Sequence, residues 1–220
     1  MSKFYKIFSL LLVACLATVG AWAQTPVKTV EDLENGAAYS IKSEGRGYLI
    51  YDAGKDASRA WCSDNTTNGA TVTFDQTNLN HLWTFYTSAS GGRYLFNLGA
   101  QKFLYKNGGA TILTSEPLGS DATFKAATSA SKEDFPVVIA FGDNEINLST
   151  DQTTSVFTNW NDTGDTGNIM QIVKVTDVSE ELMAAIEAAV TEYEAEPITD
   201  LTSLDNGKAY FVKTARGQWV

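Results

Sequence analysis

A short motif occurs twice in the sequence, once near each end of the chain. The first copy runs from Asn35 to Lys42 and the second from Asn206 to Lys213, a shift of 171 positions. The matched pairs are Leu33 and Leu204, Asn35 and Asn206, Gly36 and Gly207, Ala38 and Ala209, Tyr39 and Tyr210, Lys42 and Lys213, and, after one deletion, Arg46-Gly47 and Arg216-Gly217. Self-similarity at so long a period predicts tandem domains rather than a solenoid. We therefore expect one whole unit and the truncated start of a second, in a fragment of a longer polypeptide.

The first 23 residues have the pattern of a secretory signal peptide. Lys3 and Lys6 precede an apolar run over residues 7–19, and Ala21-Trp22-Ala23 has the small residues of a cleavage site. We therefore predict that residues 1–23 are removed and that no segment is inserted in a membrane afterwards.

An alternative process is lipidation at Cys15, because Leu12-Val13-Ala14-Cys15 resembles a lipobox. The residues that follow Cys15 stay apolar, where a lipoprotein turns polar, and this favours ordinary cleavage. Either route predicts a secreted or cell-surface protein.

Charge and cysteine content restrict the partners and the sources of stability. The signal peptide carries two of the 16 Lys and Arg residues and none of the 26 Asp and Glu residues, so the net charge falls from −10 to −12 without it. An acidic protein repels phosphate backbones and anionic lipids, which argues against nucleic acid and membrane surfaces as partners. Cys62 is then the only thiol, unless Cys15 is retained, so packing must replace disulfides, and we expect Cys62 to be a small buried residue.

From Thr25 to Val175 the sequence alternates short β-branched and aromatic runs with turn residues, which predicts an all-β sandwich or barrel. The predicted strands cover residues 38–42, 47–51, 71–74, 82–86, 94–98, 103–106, 136–141, 145–148, 155–159 and 170–175. Three stretches of 40 to 50 residues repeat one order of strands and turns and close at His81-Leu82-Trp83, Ala122-Thr123-Phe124 and Gln171-Ile172-Val173. Three such pseudo-repeats predict a β-trefoil over residues 27–176.

The closing segments resemble the Gln-x-Trp motif of ricin-type β-trefoil lectin domains. The second copy of the motif, with Lys208, Tyr210 and Ala215-Arg216-Gly217, is also similar to tandem modules of secreted bacterial carbohydrate-active and cell-surface proteins. The resemblance implies a lectin-like module that binds glycans and does not catalyse a reaction.

A helix is predicted after the β region, over residues 177–196, where Asp177 and Glu180 have the spacing of a capping box and Pro197 ends the segment. Its apolar residues form one stripe, namely Leu182, Ile186, Ala189, Val190 and Tyr193. We expect a linker helix that packs on the barrel, with a partner-binding helix as the alternative. The second unit would occupy residues 198–220.

The sequence contains few candidate residues for catalysis or for metal binding. His81 is the only histidine and lies in a closing segment, which favours a structural role over a Ser-His-Asp arrangement. We predict no catalytic residue, no metal and no cofactor, so any catalysis would lie beyond Val220. Residues 159–168 are rich in Asp and Asn, but they lack the final Glu of an EF-hand, which favours a polar turn over a calcium loop.

Sugar recognition requires an aromatic ring for the CH face and carboxylate or amide groups for the hydroxyls. The third repeat contains such a set in Asp151, Trp160, Asn161, Asp165 and Asn168. The first repeat contains Asp52, Trp61, Asp64 and Asn80. In the second repeat Lys106 and Asn107 stand where an Asp is expected, which argues against a site there.

Two functions remain open from the sequence. The first is a secreted, non-catalytic carbohydrate-binding module whose partners are glycans and the downstream domains of the same polypeptide. The alternative is a structural or protein-interaction spacer without a glycan site, attached to a downstream enzyme domain.

Overall fold

A computed structural model describes residues 25–54, 57–63, 72–108, 110–119, 122–128, 132–148, 156–160, 165–195 and 212, with residues 110 and 156–160 described by their backbone. The predictions for the signal peptide, Cys15, the second copy of the motif, Asp64, Asp151 and Asn161 lie outside these residues.

Twelve strands and one α-helix are formed within the described residues. The strands are β1 Ala37–Ser43, β2 Gly47–Ile50, β3 Trp61–Cys62, β4 Trp83–Thr87, β5 Arg93–Asn97, β6 Lys102–Asn107, β7 Ala110–Thr114, β8 Ala122–Ala126, β9 Val137–Phe141, β10 Asn144–Leu148, β11 Val156–Trp160 and β12 Met170–Asp177, and the helix is α1 Glu180–Glu194. The strand predicted over residues 71–74 is wrong for residues 72–74, which have no regular structure, whereas β3, β7 and β8 were not among the predicted strands.

Six of the strands form a closed ring. Strand β1 pairs with β4 and β12, β4 pairs with β5, and β9 pairs with both β8 and β12. Strands β5 and β8 contact each other, and Arg93 Nη1 donates a hydrogen bond of 3.2 Å to the Ala122 carbonyl between them. The first and last strands are thus neighbours, as a barrel requires.

The other six strands form three hairpins, β2–β3, β6–β7 and β10–β11. The twelve strands therefore form three sets of four, β1–β4, β5–β8 and β9–β12. In each set the first and fourth strands belong to the barrel, and the second and third strands form a hairpin. This arrangement, repeated three times, is a β-trefoil, and the predicted all-β fold with three pseudo-repeats is confirmed.

Strand β4 lies between two hydrophobic clusters. Trp83 and Phe85 point into the barrel, where they join Tyr39 and Ile41 in the central core. Leu82, which precedes β4, and Tyr86 have the alternate positions and belong to a second cluster outside the barrel. Because successive side chains of a strand point to opposite faces, both faces of β4 are buried, and even the polar Thr84 is 0% exposed.

Helix α1 covers the second cluster. Ile186 and Val190 are 1% and 0% exposed, and Leu182 and Ala189 pack beside them, so the predicted docking of the stripe on the barrel is confirmed. The predicted capping box is wrong, because Ser179 is the N-cap and its side chain accepts a bond of 3.3 Å from the Leu182 amide. Asp177 instead ends β12, where it pairs with Ala37.

The last turn of α1 is held by a carboxylate. Glu194 Oε1 accepts hydrogen bonds of 2.8 Å from Ser88 Oγ and from the Tyr94 hydroxyl. Partial burial raises the pKa of Glu194, but the bonds from Ser88, Tyr94 and Ser90 lower it more, and the net pKa lies below the ordinary 4.5. The helix is therefore fixed to the β4–β5 turn at its C-terminal end.

The repeated Asn-Gly motif has a defined structural role. The Asn35 side chain accepts a bond of 2.8 Å from the Thr87 amide and donates one of 2.9 Å to the Thr87 carbonyl. Gly36 has φ 87° in the turn before β1, and its carbonyl accepts a bond of 2.6 Å from the Val178 amide. Asn-Gly is a common turn of a β-hairpin, but here it leads the chain into β1 and joins no two strands, because the preceding residues are not in a strand.

Replacing Asn35 with Ala should remove both bonds to Thr87 and lower the free energy of unfolding by about 1 to 2 kcal/mol. Urea denaturation monitored by Trp fluorescence measures this change. Asn35→Asp is the matched control: it keeps the acceptor for the Thr87 amide but cannot donate to the carbonyl, so it should also destabilise. An Asn35→Ala protein as stable as the wild type would contradict this role.

Stability should depend on pH through Glu194. Because its pKa is lower in the folded state than in the unfolded state, its contribution is present above about pH 4.5 and is lost as the pH falls through the folded pKa. Glu194→Gln should therefore be less stable than the wild type near neutral pH, and the difference should disappear at low pH. Urea denaturation across this range checks it, with the exposed Glu181→Gln as the control that should show no such trend.

Candidate functional site

The third repeat brings several predicted site residues to one end of the barrel. Trp160 ends β11, and its backbone pairs with that of Glu145 in β10. The Asn168 side chain, in the turn before β12, donates a hydrogen bond of 2.6 Å to Glu145 Oε2. Asp165 begins the same turn, and its carbonyl accepts bonds from the amides of Asn168 and Ile169. The hairpin β10–β11 and the 165–168 turn are thus adjacent.

Asp165 is fixed in a half-buried position. Its Oδ1 accepts a bond of 2.6 Å from the Gly167 amide, and it lies 3.7 Å from Arg46 Nη2. Each of these two charged side chains is 24% exposed. Gly167 has no room for a side chain, since a Cβ there would lie 2.9 Å from both Asp165 Oδ1 and the Leu148 carbonyl. The turn therefore presents the carboxylate in one place.

Arg46 comes from the first repeat and was not among the predicted site residues. It lies in the β1–β2 turn, where its amide donates a bond of 2.8 Å to Ser43 Oγ and the Gly45 amide donates one of 3.1 Å to the Thr166 carbonyl. Its own carbonyl accepts a bond of 2.8 Å from Cys62 Sγ. The recurrence of Arg46-Gly47 at Arg216-Gly217 was the sequence signal that could have identified it.

Glu145 is the second residue that sequence reasoning missed. Its side chain is 2% exposed, and Lys125 Nζ lies 3.3 Å from Oε1 while Asn168 occupies Oε2. A buried carboxylate requires such partners, because removing its charge from water is costly without them. Asn168 is 0% exposed, so it acts from behind the site, holding β10 to the turn, rather than at the surface.

The first repeat places its predicted residues differently. The Asn80 carbonyl accepts a bond of 2.8 Å from the Tyr51 amide, which brings Asn80 next to Asp52, and Asp52 Oδ1 caps its own turn at the Gly54 amide. Trp61, however, pairs with Ile50 in the β2–β3 hairpin and is 6% exposed. A ring this deeply buried offers almost no face for a sugar.

His81 and Cys62 are core residues, as the sequence predicted. His81 is 3% exposed, and its Nδ1 accepts a bond of 2.9 Å from the Asp75 amide, while the ring stacks near Phe74. Cys62 is 4% exposed. Both side chains stabilise the loops beside β2 and β4.

No group of three or more His, Cys, Asp and Glu side chains is placed to hold a metal ion among the described residues. The part of the chain that the structure describes contains no helix of the length and apolarity needed to cross a membrane.

A separate open cleft of about 340 Å³ lies beside the beginning of the unit. It is lined by Thr25, Pro26, Val27, Lys28, Asp32, Glu34, Tyr39 and Lys174. Lys174 Nζ lies 2.8 Å from Glu34 Oε2 and 3.1 Å from Asp177 Oδ1, and hydrogen bonds to Glu34 and Asp177 raise its pKa. Among the lining residues, the charges of Lys28 and Lys174 balance those of Asp32 and Glu34.

No protein-family model matches the chain, and no match was found among curated proteins. Among solved structures, similar folds are ricin B-like lectins and other β-trefoil proteins. A ricin B-like lectin from Macrolepiota procera in complex with lactose is 13% identical, and the match covers 66% of this chain and 99% of the lectin with a TM-score of 0.46.

Two further structures show the range of these likenesses. ThreeFoil, a designed three-fold symmetric protein, is 14% identical, with 63% of this chain and 99% of the design covered at a TM-score of 0.45. An exo-β-1,3-galactanase from Clostridium thermocellum is 16% identical over 65% of this chain, at a TM-score of 0.45, but over 31% of the galactanase. The chain thus spans less than a third of that enzyme's length, and the likenesses concern the fold.

The role of Glu145 can be tested by measuring the free energy of unfolding of variants at this position. Glu145→Leu should remove both hydrogen-bond acceptors and leave the buried Asn168 amide without its carboxylate, lowering the free energy of unfolding by about 3 kcal/mol. Glu145→Gln keeps one acceptor and should lower it by about 1 kcal/mol. Chemical denaturation measures both, and Glu116→Gln, at an exposed position, is the control. Equal stability of the Leu and Gln variants would contradict the bonding described.

Proposed function

We propose that this module binds carbohydrate at the third repeat, through Asp165 and Arg46 together with Trp160. The observation that carries the proposal is the Arg46–Asp165 pair: a carboxylate and a guanidinium 3.7 Å apart, each partly exposed. That separation is longer than a charge-assisted hydrogen bond of about 2.7 to 2.9 Å, so both groups keep bonding capacity for a ligand.

Neighbouring hydroxyl groups of a pyranose match this pair. A hydroxyl can donate to the Asp165 carboxylate while its neighbour accepts from the Arg46 guanidinium, since a hydroxyl is both donor and acceptor. Trp160, at the end of β11, supplies the ring that stacks on the CH face of the sugar. Asp151 and Asn161, predicted from the sequence, complete the proposed set.

The site is prepared before the ligand arrives. The Arg46 backbone is bonded to Ser43 and Cys62, and Asp165 is bonded to Gly167, so little order must be gained on binding. Preorganisation of this kind favours affinity, because fewer side chains and loops are immobilised on association. The net negative charge favours neutral glycans over polyanionic ones.

The proposal includes a setting for the module. It would be a non-catalytic part of a larger extracellular or cell-surface protein, released or lipid-anchored after export, with its activity in downstream domains. The export signal in residues 1–23 and the second copy of the motif support this setting.

A second candidate is a spacer module without a glycan site. It is favoured by the burial of Trp61, which removes the stacking ring from the first repeat. It is also favoured by the close packing of Gly119 on the Tyr105 ring in the second repeat, which leaves no space for a side chain at Gly119. On this alternative the trefoil would serve to separate or attach other domains.

Calorimetric titration or glycan arrays with residues 24–196 should detect binding with a Kd of about 10 μM to 1 mM, as expected for a shallow site. Asp165→Asn, Arg46→Gln and Trp160→Ala should each weaken binding tenfold or more. The first two should change the free energy of unfolding by no more than about 1 kcal/mol, because an exposed ion pair contributes about 0 to 1 kcal/mol to folding.

The matched control is Asp52→Asn, which changes the corresponding carboxylate of the first repeat and should leave affinity unchanged. Folded protein that binds no neutral glycan would sink the carbohydrate proposal and favour the spacer. Loss of binding in Asp52→Asn alone would move the site to the first repeat.

A further inference from the structure

Helix α1 lies within the 171 residues that separate the two copies of the motif. The shift of 171 positions that aligns the two motifs also aligns Pro26-Val27 with Pro197-Ile198. The helix, Glu180–Glu194, lies between these two points. The helix thus lies within the repeating length of the sequence, and the match to Pro26 begins at Pro197, directly after Ala195-Glu196.

The first unit is fixed from its second residue onwards. The Val27 amide donates a hydrogen bond of 2.9 Å to the Ile172 carbonyl of β12, and Val27 is 6% exposed. Ile198 has the position of Val27 in the sequence repeat.

The end of α1 is fixed on the first unit. Val190 is 0% exposed, and Glu194 is bonded to Ser88 and Tyr94 on the β4–β5 strands. The helix cannot swing away as a flexible tether without breaking these contacts. Its last turn is therefore a rigid part of the first unit.

Three residues, 195–197, lie between Glu194 and Ile198. At about 3.3 to 3.6 Å per residue, the chain from Glu194 to Ile198 spans at most roughly 14 Å. Pro197 also fixes its own φ and restricts Glu196. A connector of three residues that includes a proline is too short and too stiff to act as a flexible linker.

We propose that the surface around the end of α1 is the contact surface for the next unit of the same polypeptide. This helix-end surface is formed by Tyr193 and the turn residues Ala89, Ser90 and Gly91, all of which are exposed. Tyr193 is 46% exposed, although its ring already lies edge-on to Tyr94 at 6.2 Å. An aromatic residue exposed beside so short a connector is available to the unit that follows.

The sequence repeat also includes residues that line the cleft at the beginning of the first unit. In the first unit the residues from Pro26 onwards line the cleft of about 340 Å³, and their equivalents in the second copy include Pro197, Ile198, Asp205 and Tyr210. With so short a connector after the docked helix, consecutive units are held in a fixed orientation, as a semi-rigid array.

The test uses two units in one chain, residues 24–196 followed directly by residues 26–196, which keeps the Glu-Pro-apolar junction. The described residues 25–195 contain the closed barrel and its docked helix, so each unit is self-contained. The comparison protein has about ten Gly and Ser residues inserted after Glu196.

Backbone NMR relaxation should give the directly joined protein a correlation time about twofold longer than that of one unit, because both units tumble as one body, and the inserted protein a value close to one unit. Small-angle scattering should show a single interunit distance in the former. Tyr193→Ser should shorten the correlation time of the joined protein without changing the unfolding midpoint of a single unit. Glu187→Ser, exposed on the same helix, is the matched control and should change neither.

Equal correlation times with and without the insertion would overturn the proposal. A joined protein that stays rigid in Tyr193→Ser would show that the helix-end surface is not the contact. Failure of residues 24–196 to fold cooperatively would remove the self-contained unit on which the proposal depends, and would overturn it as well.

Discussion

The pairing of the first strand with the last holds the rest of this structure in place. Strand β1 runs antiparallel to β12 from Ala37 opposite Asp177 to Ser43 opposite Met170. One end of this ladder continues into Gly36 and Val178, where the helix is attached, and the other end leads to the Arg46 and Asp165 turns. The ladder that closes the barrel therefore places the candidate site at one of its ends and the attachment of the helix at the other. The two features share no turn or side-chain contact described above.

The strands and the helix stripe could be predicted because they depend on local periodicity. The exact roles of their end residues could not, because these depend on partners far along the chain. Asn35 bonds to Thr87, 52 residues away, so its spacing to Gly36 alone indicated only a turn. Asp177 has the residue type of a helix cap, but pairing with Ala37 draws it into β12 and leaves the cap to Ser179.

The candidate site was predictable in part for the same reason. Asp165 and Asn168 were identified by residue type and proximity in sequence, and both lie in the turn that leads into β12. Arg46 reaches this turn from the β1–β2 turn and Glu145 reaches it from β10, which no local pattern reveals. Trp61 is a residue that was predicted for the site and does not belong to it. A tryptophan in a hairpin has the same sequence pattern whether its ring faces solvent or, as here, the core.

The recurring residues separate scaffold from site. Leu33, Ala38 and Tyr39 pack in the clusters, Asn35 and Gly36 form the turn, and Gly47, with φ 117°, accepts a backbone conformation that other residues rarely adopt. Each of these is required by the fold. Within the described residues the Arg46 side chain pairs with Asp165, and such a partly exposed pair contributes about 0 to 1 kcal/mol, which does not require arginine for stability. The recurrence of Arg46 as Arg216 beside the required glycine is therefore not explained by the contribution of this ion pair to folding.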